Sequence, residues 1–193
     1  MPHLELVNQA GLTLYRLFRH PGGDWEPPPE QFRILRADPP AGHKGDYAVL
    51  YTSDALAAAA MECRVLYCEN ATDRWCWHEA KAATYSVARY TFDRPAVFLP
   101  LDGQNRKTLG LSHKRRYSAF QDIAHTLFQR YGGSVDGLSW ESFHRGQIGR
   151  VYAIWHSRKA SLGLNRTTTT FPLLTNDTEW LGYLAANPDI ETL

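Results

Sequence analysis

TLYRLFRH (13–20) alternates Leu14, Arg16 and Phe18 against Tyr15, Leu17 and Arg19. A period of two predicts a strand, here with a charged residue set inside it. PGGDWEPPPEQ follows. Proline fixes φ and lacks an amide donor, so the stretch predicts a long loop, and long loops in compact domains often carry function. YAVLYTS (47–53) is a run of aromatic and β-branched residues and predicts a buried strand. DALAAAAMEC supplies alanine, the best helix former, and predicts a helix capped by Ser53 or Asp54 that ends near Glu62. A loop rich in Trp and Cys comes next, then two strands, ATYSVARYTF (83–92) and AVFLPL (96–101). Over 117–131, Phe120, Ile123, Ala124, Leu127 and Phe128 recur at helical spacing, and Gly132-Gly133 end the helix. DGLSWES (136–142) and VYAIWHS (151–157) predict strands, and TEWLGYLAAN (178–187) predicts a short helix with an Asp or Thr cap. Strands outnumber helices and occur in runs, which predicts an α+β fold around a mixed or antiparallel sheet.

Composition narrows the class. A length of 193 residues suits one domain with its own core, and 44% apolar with 12% aromatic residues excludes disorder. No run approaches the roughly 18 apolar residues of a spanning helix, and the start MPHLELVNQAG is neither basic nor apolar enough for a signal peptide. A soluble cytoplasmic chain without membrane contact is expected. Three cysteines, Cys63, Cys68 and Cys76, do not make a disulfide framework. Cys68, Cys76 and His78 invite a zinc reading, but no second ligand pair follows at zinc-site spacing, so reduced structural thiols and no metal are expected. The net charge of +1 hides an uneven distribution. Residues 1–102 carry 10 Lys+Arg and 13 Asp+Glu, residues 103–166 carry 11 and 3, and residues 167–193 carry 0 and 4. The basic middle, densest at Arg106, Lys107, Lys114, Arg115 and Arg116, suits an anionic ligand or an acidic partner. Direct nucleic-acid binding is not expected, because no reading motif accompanies it.

Three polar residues then stand out by position. Arg16 interrupts a strand, Glu62 sits at a helix C-terminus where the dipole opposes a carboxylate by about 0.3–1 kcal/mol, and Ser142 ends a strand. LYRLFRH, the Pro-rich loop, FRILRADPPAGHKGDYAVLYTSDALAAAAMEC and VDGLSWES together resemble the RES domain family, named for its Arg, Glu and Ser. The resemblance covers about residues 11–156, so residues 1–193 read as a single RES-like domain with a C-terminal extension at 157–193. It implies an ADP-ribosyltransferase-like α+β fold with flanking helices. It also implies an NAD-degrading toxin of a RES–Xre toxin–antitoxin pair, with NAD as substrate and a protein antitoxin, of Xre type, as partner. The catalytic set it implies is Arg16, Glu62 and Ser142. The NAD-binding positions it implies are Arg16, Arg36, Tyr51 and Ser142, and Tyr47, on the loop before the second strand, is a further expected NAD-binding residue as part of a lid. Trp140 and Glu141 depart from the family's Tyr-Pro before the serine, and Ala48 replaces a common glycine.

The chemistry of these side chains agrees with the resemblance. Guanidinium groups pair with phosphate oxygens, so Arg16 and Arg36 suit a pyrophosphate. Loss of nicotinamide leaves an oxocarbenium-like ribosyl centre that a carboxylate such as Glu62 stabilises. Tyr51 offers a stacking face, and Ser142 offers a hydrogen bond to a carboxamide or ribose hydroxyl. His43 and Lys44, beside Tyr47, form a candidate lid, and Arg19 ranks below Arg16 because alternation turns it to the other face. Two alternatives stay open. Mono-ADP-ribosylation of a macromolecule usually calls on an acidic residue two positions before the glutamate, where this chain has Ala60. A non-catalytic basic module would show binding that falls steeply with salt.

Overall fold

The computed structural model describes residues 3–69, 72–112, 116–142 and 149–193. Its first half runs β1 (Val7–Gln9), β2 (Leu14–Phe18), β3 (Val49–Ser53), α1 (Leu56–Glu62), β4 (Leu66–Cys68), β5 (Trp75–Trp77), α2 (Glu79–Ala82), β6 (Ser86–Phe92) and β7 (Ala96–Pro100). The second half runs α3 (Gly103–Thr108), α4 (Tyr117–Tyr131), β8 (Gly137–Glu141), β9 (Arg150–Trp155), α5 (Lys159–Leu162), β10 (Leu164–Arg166), α6 (Thr178–Ala186) and β11 (Glu191–Thr192). Eight strands form one sheet in the order β1-β7-β8-β9-β3-β2-β6-β10, antiparallel except for β7 beside β8. A small sheet, β11-β5-β4, lies apart. The fold is α+β with a mixed sheet, as the run of strands implies. Among the described residues no helix is long and apolar enough to cross a membrane.

Alternation along the strands sorts the core into layers. On one face, Val49, Leu138, Val151, Ala153 and Trp155 meet Phe120, Ala124 and Leu127 of α4. Further along that strand order, Leu17 and Val87 meet α1, the small sheet and Trp180 of α6. Leu14, Leu50, Ala88, Tyr90, Tyr152 and Ile154 point the other way into a third cluster that Leu162 and Leu164 help to close. Both faces of the central strands are therefore buried, which is why most positions of β3 and β9 are apolar or aromatic. Residues 157–193 belong to this packing: β10 edges the large sheet, Trp180 is fully buried, and β11 pairs with β5.

Three local expectations change. Neither Ser53 nor Asp54 caps α1, whose N-cap is Ala55 without a side-chain bond. Ser53 stays in β3, and the Asp54 carboxylate accepts from the Arg150 amide at 2.8 Å, so both are already committed to the sheet. The Trp- and Cys-rich stretch is a hairpin, β4 with β5, turning through Asp73 at φ 61°. Strands of three residues are too short to show alternation. The strand expected from residue 83 begins at Ser86, because α2 and a turn occupy the residues before it. Asp177 does cap α6, accepting from the amides of Glu179 and Trp180.

Candidate functional site

β2 and β3 are neighbours in the sheet yet pair through one residue couple, Tyr15 with Ser53, whereas each pairs over five residues with its other neighbour. Beyond that couple the strands part. Arg16 fills the seam, its Nε donating to the Gly23 carbonyl at 2.8 Å and one terminal nitrogen donating to the Tyr51 carbonyl at 2.9 Å. A cavity of about 340 Å³ opens there, lined from β2, β3, the end of α1, the Pro-rich loop and α4. That volume lies at the small end of ligand sites.

Arg16, Arg36, Tyr51 and Glu62 all line the cavity. Glu62 is the last residue of α1 and exposed to solvent. Ser142, just past β8 and 2% exposed, donates its hydroxyl to Glu62 Oε1 at 2.8 Å. Helix end and strand end meet, and a buried hydroxyl orients the accessible carboxylate. Arg36 lies over the rings of Phe120 and Tyr117, with centroids 4.5 and 5.1 Å away. Burial pushes its guanidinium down from the ordinary arginine range, while Tyr117, Glu62 and Tyr51 favour its charge. A partly desolvated guanidinium beside a carboxylate forms strong interactions with an incoming anion, since little water screens it.

Tyr51 is half-buried, meets Trp140 edge to face and accepts the Ala37 amide on its hydroxyl at 2.9 Å. It also bonds the carboxyl of Asp38. Burial pushes that carboxyl up to about 6, against the opposing Leu35 amide and Tyr51 hydroxyl. Asp38 lines the cavity and was not expected there, although it stands in the Asp-Pro turn directly beyond Arg36. Cys63, Phe32, Leu35 and Tyr117 join the lining as well. Burial pushes the Cys63 thiol up to about 11, so it stays protonated and unreactive near neutrality.

The structure does not bring every expected residue to the cavity. Tyr47 is buried against Phe128, its hydroxyl donating to the Ala37 carbonyl, and it supports the cavity wall from behind. Lys44 also faces inward into the loop, bonded to the carbonyls of Arg33 and Pro39. Arg19 lies past the end of β2, over the Tyr85 ring at 4.7 Å. Cys68 and Cys76 sit on successive rungs of their hairpin, opposite Trp75 and Tyr67 respectively, and no disulfide joins any of the three cysteines. Of the basic run, Lys114 and Arg115 lie outside the described residues.

The RES domain model matches residues 13–176. The chain belongs to the RES family. The match encloses every residue that lines the cavity. Among solved structures, the RES chain is similar to one described as the crystal structure of the M. tuberculosis MbcT–MbcA toxin–antitoxin complex, with 15% identity over 86% of each chain and a TM-score of 0.58. At that identity the likeness concerns the fold. No curated protein matches the sequence.

Proposed function

We propose that this RES protein is a toxin that consumes NAD by breaking the bond between nicotinamide and ribose, and that a protein antitoxin of Xre type restrains it in the cytoplasm. The observation that carries the reading is the 2.8 Å contact between Ser142 and Glu62 in a cavity shared with Arg16, Arg36 and Tyr51. The bonding pair of the glycosidic C–N bond leaves with the ring, so a cationic pyridinium departs as neutral nicotinamide and needs no general acid. Positive charge then develops on the ribosyl carbon, where the Glu62 carboxylate stabilises it. Water or inorganic phosphate adds to that carbon, and attacking water releases its extra proton to solvent. Arg36 is placed to hold the pyrophosphate. Arg16 has two donors committed to carbonyls and holds the seam open with them while its remaining edge meets the cavity.

Ala60 favours glycohydrolysis or phosphorolysis over protein modification. It is fully buried in the core, so no acidic acceptor-orienting group stands at that position. The test is release of nicotinamide from NAD by the purified protein. Glu62→Gln should lower release by about 10²-fold or more. Ser142→Ala should lower it about tenfold, the worth of one hydrogen bond to a charged group. No release by the wild type, or unchanged release by Glu62→Gln, removes the reading. Labelled ADP-ribose accumulating on a protein would put the transferase in its place.

A further inference from the structure

His43 and Asp46 lie on one turn, where the Asp46 amide donates to the His43 carbonyl at 3.0 Å, so their side chains emerge on the same side. His125 reaches them from the buried face of α4. His43 Nδ1 stands 3.0 Å and His125 Nε2 2.7 Å from the same oxygen, Asp46 Oδ2. The two imidazole rings are 4.4 Å apart. We propose that these three residues form a binding site for a divalent transition metal of the zinc class. The site is independent of the NAD reading, since none of the three lines the cavity.

The donor set and spacing support this. Two imidazole nitrogens and one carboxylate oxygen, with water in the fourth position, make a recurrent open zinc site. Bonds of about 2.0–2.2 Å at tetrahedral angles put donor atoms about 3.3 Å apart. The three candidate donor atoms already lie within 4.8 Å of one another. Binding therefore exchanges two hydrogen bonds for metal bonds and draws the widest donor pair together by at most about 1.5 Å, shared between two side chains, each imidazole giving up or moving the proton on its liganding nitrogen. An ion has access, because the side chains of His43 and Asp46 are 51% and 41% exposed. Gln129 Nε2, 3.3 Å from His125 Nε2, is placed to bond a metal-held water. Once bound, the ion would clamp the loop before β3 onto α4. The spacing conceals the site, since His125 is 79 residues from Asp46.

The test titrates the full, untagged chain with Co(II) and follows visible ligand-field absorption, then displaces it with Zn(II) and follows Tm. The wild type should saturate at one ion per chain. Zn(II) at roughly 100 times its Kd should raise Tm by about 5–10 °C. His43→Ala and Asp46→Asn, both at exposed positions, should lose the band and the Tm rise, while the exposed His20→Ala keeps both. A wild type without band or Tm rise, or a response that survives in His43→Ala, overturns the proposal.

Discussion

His156 follows β9 and is held by its amide, which donates to the Ala48 carbonyl at 3.0 Å. Its Nε2 is buried, with no hydrogen-bond partner among the described residues. Burial first, then Lys159, Arg16 and Arg33, push its pKa from 6.5 down to about 3. The sign follows directly. Between those values the unfolded chain takes up a proton that the folded chain refuses, so this residue's contribution is complete above about pH 6.5 and is lost as pH falls toward 3. Each tenfold difference in proton affinity is worth about 1.4 kcal/mol, giving about 3 kcal/mol lost by pH 4. The ring is not wholly buried, and screening trims the figure to about 2–3 kcal/mol. His156→Gln keeps a polar, uncharged side chain and removes the titration. We expect thermal melts at pH 7 and pH 4 to show a smaller acid loss in the variant, by about 5–10 °C in Tm for a chain of this size. Any pH-independent cost of the substitution cancels in that comparison. Asp38 supplies a control of opposite sign. Its carboxyl, raised to about 6, keeps its proton in the folded state through the window down to 3.8, which stabilises by about 2 kcal/mol on going from pH 7 to pH 4. Asp38→Asn should therefore steepen the acid loss. Parallel melting curves for wild type and His156→Gln would refute the reasoning.

Three further outcomes are expected. A Cβ on Gly137 would lie 2.2 Å from the Ala153 carbonyl oxygen, so Gly137→Ala forces β8 off β9 and should cost about 3 kcal/mol in chemical denaturation. Asp177 is buried, caps α6 and pairs with Arg89 at 2.8 Å; Asp177→Ala should cost about 3 kcal/mol by the same measurement, and Asp177→Asn should recover part of the cap. Tyr51→Phe keeps the ring but releases the Ala37 amide and the Asp38 carboxyl, and we expect a raised KM for NAD with a smaller effect on kcat.

The elements long enough to show a period were legible: α4 runs Tyr117–Tyr131 where five apolar positions mark one face, and β3 and β9 follow their apolar runs. Hidden elements were those held by partners distant in sequence. β1 exists because β7 offers an edge, and β10 because β6 does. Local pattern cannot report such edges. The candidate site divides the same way. Glu62 and Ser142 stood out as misfits at element ends, and their contact across 80 residues accounts for both misfits at once. Tyr47 looked equivalent to Tyr51 in sequence, and both hydroxyls reach Ala37, but only Tyr51 also faces the cavity. Four residues apart on a strand entry, two tyrosines share a parity and differ only in depth, a distinction set by the loop and α4 packed above them.

Arg16 shows what kind of misfit carries most information. A charged residue within a strand buried on both faces needs hydrogen-bond partners that a continuous ladder does not leave free. It is tolerated where the ladder is interrupted and carbonyl oxygens lack their amides. The Tyr51 carbonyl on the parted edge of β3 and the Gly23 carbonyl in the adjoining loop supply that need. The guanidinium and the seam therefore require each other: closing β2 onto β3 would leave Arg16 buried without partners, and removing Arg16 would leave two carbonyls to be satisfied by water. In this chain the arginine inside the strand therefore marks the split in the sheet, and that split, lined by both charged and apolar side chains, is where a ligand can enter the core without unfolding it.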